Sequence, residues 1–205
     1  MEGDLREDVF LRRMEKMEKG NGEVRRLGLE DLPDDALKSF DRFQLTERVR
    51  RRDLYGHVIK DTRFTDDWDE EEKVELVRSL RRCLEKGGCV AGAFMGGVLL
   101  GFASVEPGSF GRRGEYLQLA NLHVSREARH RGIGKRLFML CVQEAKRMGA
   151  RKLYISAHSA EETQQFYESV GCVDAKEVNP VLAALEPYDI QLEYDLEGEN
   201  RAPMG

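Results

Sequence analysis

Apolar residues recur with two different periods along this chain. Over residues 133–148, Ile133, Leu137, Phe138, Leu140, Cys141, Ala145 and Met148 fall at three- and four-residue spacings. That spacing predicts a helix with one buried stripe, and Gly149 follows as its stop. Val74, Val77, Leu80 and Leu84 predict a second helix over 69–85, with acidic residues in its first turn and Arg81, Arg82 and Lys86 at its end, as the helix dipole favours. Further helices are expected over 4–18 (Val9, Phe10, Met14 and Met17 on one face), over 33–43 with Pro33 in its first turn, over 160–170 before Gly171, and as a short piece over 181–185. Strand patterns fall at 23–27, 89–95, 98–106, 116–124, 152–157 and 189–194, with a weaker one near 54–59.

The segment 87–105 carries no charge, and its length would suit a membrane span. It holds six glycines (Gly87, Gly88, Gly92, Gly96, Gly97 and Gly101), so it reads as two buried strands joined by a turn at Met95, Gly96 and Gly97. The resulting order is strand, two helices, two or three antiparallel strands, then β-α-β-α-β. It predicts a mixed α/β sheet with helices on both faces. Residues 1–21 are expected as an N-terminal helical extension, 22–195 as one domain, and 196–205 as a disordered tail.

Composition narrows the function. The chain has 205 residues and a net charge of −5, a poor match for a general nucleic-acid binder. Charge is nevertheless uneven. Arg48, Arg50, Arg51 and Arg52 form a basic run, and Asp66, Asp67, Asp69, Glu70, Glu71 and Glu72 an acidic one. Such runs are usually solvated loops or helix ends, though one could line an acceptor site. The cysteines, Cys83, Cys89, Cys141 and Cys172, have neither C-x-x-C nor zinc-site spacing. They predict reduced thiols, no metal and a cytoplasmic protein. The charged N-terminus lacks the apolar core of a signal peptide, and no membrane association is expected.

The chemistry concentrates between Leu117 and Cys172. Arg129-His130-Arg131-Gly132-Ile133-Gly134 stands between a strand and a helix. Glycines there allow close approach, and the free amides of the helix start would hold an anion, with Arg126, Arg129, Arg131, Lys135 and Arg136 adding positive charge. A phosphate or pyrophosphate is the natural guest. The P-loop is excluded, because Arg136 stands where Ser or Thr is needed; the dinucleotide fingerprint is excluded, because Leu137 holds its third glycine position.

These residues resemble the phosphate loop [Q/R]-x-x-G-x-[G/A] of the GNAT superfamily of acetyl-CoA-dependent N-acyltransferases. Leu122-His123-Val124 is similar to the strand end that precedes that loop. Phe166-Tyr167-Glu168-Ser169-Val170-Gly171-Cys172 is similar to the family's aromatic-Tyr-x-x-x-Gly helix ending. The resemblance implies a mostly antiparallel central sheet, splayed at the cofactor site. It implies that amides of residues 131–135, with Arg129, His130, Arg131, Gly132, Ile133, Gly134 and Lys135 in the loop, bind the coenzyme A pyrophosphate. Leu122, His123 and Val124 would pair with pantetheine amides, a backbone N–H there would polarise the thioester, and Tyr167 would be the general acid.

Two positions depart from the family. Ala160 occupies the slot where many members have a cofactor-binding Asn; Ser159 beside it either caps the helix, with Glu162 completing a capping box, or touches the cofactor. Histone-acetylating relatives carry a Glu where Gln118 stands, so the general base stays open between Glu106, His123 and a water. The implied activity is acetyl transfer from acetyl-CoA to a primary amine by direct attack, with a small-molecule amine favoured over protein lysine. An acidic, aromatic rim at Asp66, Asp67, Trp68 and Asp69 would suit a cationic acceptor. A non-catalytic acyl-CoA sensor is the alternative, and a nucleic-acid binder using the Arg48–Arg52 run a third. A homodimer is the default assembly.

Overall fold

In the computed structural model of the chain, residues 22–53 and 56–198 are described. The expected N-terminal helix lies outside them. A seven-stranded sheet runs in the order β1-β4-β5-β6-β7-β9-β8. Its strands are β1 (Glu23–Arg26), β4 (Cys89–Met95), β5 (Val98–Val105), β6 (Tyr116–Val124), β7 (Lys152–Ala157), β8 (Val173–Asp174) and β9 (Ile190–Asp195). All neighbouring pairs are antiparallel except β6–β7. The helices are α1 (Glu70–Glu85), α2 (Ile133–Arg147), α3 (Glu161–Ser169) and α4 (Pro180–Leu185).

Strand alternation divides the core in two. Cys89, Ala91 and Ala93 of β4, with Ala103 and Val105 of β5, pack on Leu137, Phe138 and Cys141 of α2. Val90 and Phe102 point the other way, against Val77, Leu80 and Cys83 of α1 and against Leu32, Leu37 and Phe40. The charge-free segment is therefore the β4–β5 hairpin, as its glycines predict. Among the described residues no helix is long and apolar enough to cross a membrane. Asp69 starts α1 with a reciprocal cap. Its Oδ1 accepts from the Glu72 amide (2.8 Å), and its own amide donates to Glu72 Oε2 (2.9 Å).

Three expectations are corrected. Residues 33–43 form no helix. Turns closed by Ala36 N–H to Pro33 O, Lys38 to Asp35 and Phe40 to Leu37 replace it, because Leu32, Leu37 and Phe40 must all reach one core pocket. The weak strand near 54–59 belongs to a larger hairpin, β2 (Gln44–Asp53) with β3 (Gly56–Asp66), which forms a separate two-stranded sheet. The hairpin lies against the start of α3: Val49 bridges to Ala160, and the Arg50 amide donates to Ser159 O (2.7 Å). Finally, the packed chain continues past 195. Leu196 is buried in the core and Glu197 pairs with Arg151 (2.8 Å).

Candidate active site

The site begins where β6 and β7 part. They pair in parallel only over 116–118, through Tyr116↔Lys152, Leu117↔Leu153 and Gln118↔Tyr154. On its other edge β6 follows β5 further, but the register slips between Val105↔Leu119 and Ser104↔Asn121. Ala120 is thus the extra residue of a bulge, and a bulge bends its strand. Beyond it, no strand pairs with the β7-side edge of β6 among the described residues.

A cleft of about 630 Å³ fills the opening. Leu122, His123 and Val124 form one side. The turn after β6, with Ala128, Arg129, His130, Gly132, Ile133, Gly134 and Lys135, forms the second. Thr163, Phe166 and Tyr167 of α3 face them, and Arg42 and Gln44 close the end.

The turn is built for backbone presentation. His130 (φ 59) and Gly132 (φ 75) both adopt left-handed conformations, which cost a side-chain-bearing residue energy and suit glycine. The first intrahelical bond of α2 is Arg136 N–H to Gly132 O (3.1 Å), so the amides of Ile133, Gly134 and Lys135 have no helical acceptor. A Cβ on Gly134 would stand 3.3 Å from the Phe166 ring, so its hydrogen lets α2 and α3 meet. Unpaired amides, the helix dipole and exposed Lys135 make an anion cradle. This donor set fits a diphosphate, and the open β6 edge beside it fits an extended amide chain.

Most of the sequence-derived residues meet here, with three differences. Arg129 lines the cleft, but its guanidinium is committed to main-chain carbonyls, Nε to Val124 O and Nη2 to Arg42 O, both at 3.0 Å. It staples the turn. Arg131 is exposed and outside the cleft lining. Ser159 is buried away from the cleft, its Oγ accepting from Arg51; the helix starts after Ala160 without a side-chain cap, so the expected capping box is absent. Arg42 and Gln44 were not legible as site residues, because the hairpin that Gln44 begins and Arg42 leads into was not.

Tyr167 is buried, with its ring edge-on to Phe166 (5.1 Å) and Phe138 (6.4 Å). Burial holds its pKa well above the usual phenol value, so it stays protonated. No side chain among the described residues hydrogen-bonds its hydroxyl. His123 sits edge-on to Trp68 at 4.8 Å and near Phe102 at 5.3 Å. Burial, then the charges of Arg42 and Arg129, push its pKa down to about 3. A group so acidic when protonated is a weak proton acceptor, which argues against His123 as the base. Burial likewise raises the thiols of Cys83 and Cys172 to about 12 and Cys89 to about 11, leaving no thiolate nucleophile there.

The acidic run does not form a rim. Trp68 packs inward, stacked on Phe40 (5.9 Å) beneath Arg42 (5.4 Å). Asp69 caps α1, and Asp67 Oδ1 accepts from the Trp68 amide (2.8 Å). The basic run lies along β2, and three of its arginines are paired with acids: Arg48 with Glu161 (2.7 Å), Arg50 with Glu168, and Arg52 with Asp174 (3.9 Å). It is a clamp onto α3 and its surroundings.

Residues 54–172 match the profile of the Acetyltransferase (GNAT) family. No curated protein matches the chain. Among solved structures, the chain is similar to nourseothricin acetyltransferase, at 16% identity and a TM-score of 0.62, covering 86% of this chain and 99% of that one. A candidate streptothricin acetyltransferase from Bacillus anthracis strain Ames, in complex with acetyl coenzyme A, is similar at 18% identity and TM-score 0.63, over 85% and 96% of the two chains. PaiA N-acetyltransferase from Thermoplasma acidophilum, in complex with coenzyme A, gives 17% and 0.55, over 86% and 99%. At these identities the likeness is one of fold.

Proposed function

The chain belongs to the acetyltransferase (GNAT) family, and is by that membership an acetyl-CoA-dependent acyltransferase; from this premise we propose that it moves the acetyl group directly onto a primary amine. The observation that carries the proposal is the coincidence, in one cleft, of an anion cradle at residues 132–135, an open strand edge at 122–124 and a buried neutral phenol at Tyr167.

The amides of Ile133, Gly134 and Lys135 hold the diphosphate of coenzyme A. The open edge of β6 takes the pantetheine amides as a strand would, which carries the thioester into the split. A main-chain N–H of that edge donates to the carbonyl oxygen as negative charge develops on it. The neutral amine attacks the carbonyl carbon, the carbon–sulfur bond breaks, and Tyr167 gives its proton to the departing sulfur. The proton shed by the new amide nitrogen leaves through solvent. Burial raises the thiols of Cys83 and Cys172, which disfavours them as covalent relays and favours one direct transfer. Residues 22–197 act as the transferase unit in this reading.

A non-catalytic sensor of acyl-CoA would use the same cradle, but it has no need of a phenol held protonated at the split. The test has two parts: calorimetric titration with coenzyme A, and release of free thiol from acetyl-CoA across a panel of primary amines. Micromolar binding with amine-dependent thiol release is expected. Binding without release from any amine would leave the sensor reading, and no binding at millimolar coenzyme A would end both.

A further inference from the structure

The cleft holds a cation that the diphosphate cradle does not use. Arg42 closes one end of the cleft, and the main chain around it is laced to the turn after β6. The Arg126 amide donates to Asp41 O (2.9 Å), the Asp41 amide donates to Ser125 Oγ (2.9 Å), and Arg129 Nη2 donates to Arg42 O. The guanidinium then lies over Trp68, whose ring packs near Phe40 and Phe102 in the core under α1. Arg42 therefore stands on the α1 side of the sheet. The cradle belongs to the start of α2, which packs on the other side.

This cation has donors to spare. An arginine carries five N–H groups. Among the described residues Arg42 spends one on a side chain, Nη1 donating to Gln44 Oε1 (3.0 Å), and its buried Nε has no acceptor. Because an arginine only donates, that bond turns Gln44 Nε2 away, and Nε2 has no acceptor among the described residues. Gln44 lines the cleft and also an adjoining cavity of about 270 Å³. Asp66 and Asp67 draw on Arg42, but among the described residues no carboxylate oxygen lies within 4 Å of its guanidinium. Asp67 is held by the Trp68 amide, and Asp66 faces His158 at 3.7 Å. The charges acting on buried His123 beside it are those of Arg42 and Arg129. A half-buried cation with free donors on a cleft wall is completed by an anion.

We propose that Arg42 and Gln44 select the acceptor, and that the acceptor is a primary amine carrying a carboxylate. The proposal rests on the transferase reading and narrows its acceptor class. Nε being covered, the carboxylate meets the Nη1 and Nη2 end of Arg42, and Gln44 Nε2 supplies a further donor. The cofactor reaches the split from the α2 side and the acceptor from the α1 side, so the amine attacks while its carboxylate stays at Arg42. The phosphates of the cofactor are the other source of an anion, and the experiment separates the two.

The experiment uses the full chain and compares amino acids with the amines left when the carboxylate is removed: glycine with methylamine, 4-aminobutyrate with n-propylamine, and L-leucine with 3-methylbutylamine. Thiol release from acetyl-CoA gives kcat and KM. Calorimetry of each compound into coenzyme A-saturated protein reads the subsite without turnover, and coenzyme A titration alone reads the transferase site. In at least one pair the acid should bind about tenfold more tightly or better, with a correspondingly higher kcat/KM. The difference should shrink as salt rises. Arg42→Gln should raise KM for that acid at least about tenfold with kcat near wild type, leave the alkylamine and coenzyme A affinity unchanged, and so erase the preference. Arg42→Lys should restore part of it, and Gln44→Ala should lose a smaller part. Should Arg42→Gln fail to fold, the wild-type ratios and Gln44→Ala decide. An acid preferred in no pair overturns the proposal. So does an Arg42→Gln protein that weakens coenzyme A and keeps the acid preference, which would give this cation to the cofactor. Failure of the wild type to bind coenzyme A overturns the transferase reading instead, and calorimetry of the acids on the free protein still decides the subsite.

Discussion

The two sides of the β6–β7 split present different groups. On the cleft side, unpaired amides of Ile133, Gly134 and Lys135 meet a helix N-terminus and the cations Arg42 and Lys135. On the face of β7 turned away from α2, Asp66 faces His158 at 3.7 Å and Asp189 accepts from Ser156, with the charges of Arg42 and Arg51 acting on His158 and that of Arg51 on Asp189. The difference teaches why the strands must part. A continuous sheet would seal each main-chain group into a ladder, whereas the bulge at Ala120 opens an edge with unlike surroundings on its two sides.

The sharpest break in this contrast should come at Tyr167. Tyr167→Phe keeps the ring packing on Phe138 and removes the proton, so kcat should fall by about 10²–10⁴ with coenzyme A affinity unchanged. Steady-state thiol release beside calorimetry checks it, and unchanged turnover would remove Tyr167 from the mechanism. On the cleft side, Gly132→Ala forces a side chain into φ 75. Stability should fall by about 1–2 kcal/mol and coenzyme A should bind roughly tenfold more weakly, with amine preference kept; a wild-type affinity would show that this turn does not hold the diphosphate.

Beside Ser156 of β7, burial raises the Asp189 pKa to about 6, with Glu186 adding to the rise. The raised group favours folding while protonated in both states, and that contribution is lost as pH rises from about 4 through 6. Asp189→Asn should therefore exceed wild type in stability at pH 7, by on the order of 1 kcal/mol once its partial exposure is allowed for, and the gap should close below about pH 4. Urea denaturation across that range measures it; a gap independent of pH would refute the buried-carboxylate account. The smallest effect is the control. Asp69→Ala removes the cap of α1, outside the cleft lining, and should cost about 1 kcal/mol in thermal denaturation without changing turnover.

Legibility followed how local each determinant is. The β4–β5 hairpin, α1, α2 and the turn between β6 and α2 were readable, since apolar spacing, glycine and an N-cap act over a few residues. Tyr167 was placed through its aromatic-Tyr-x-x-x-Gly context, and it does line the cleft. The β2–β3 hairpin was not readable. Its strands are charged along much of their length, because they lie on α3 through ion pairs such as Arg48–Glu161 with a single buried apolar contact at Val49. Ser159 was misread for the same reason: its partner, Arg51, is 108 residues away.

By itself, then, the order of residues determined the sheet's apolar strands, the helix stripes, the glycine-bearing anion turn and the family. All of these rest on contacts or backbone preferances within short windows of chain. Tertiary structure alone decided where β6 leaves β7, that Trp68 and Asp69 are structural, that burial lowers the His123 pKa, and that Asp66 meets His158. Those outcomes depend on burial and on the meeting of distant charges, and neither exists until the chain has closed on itself.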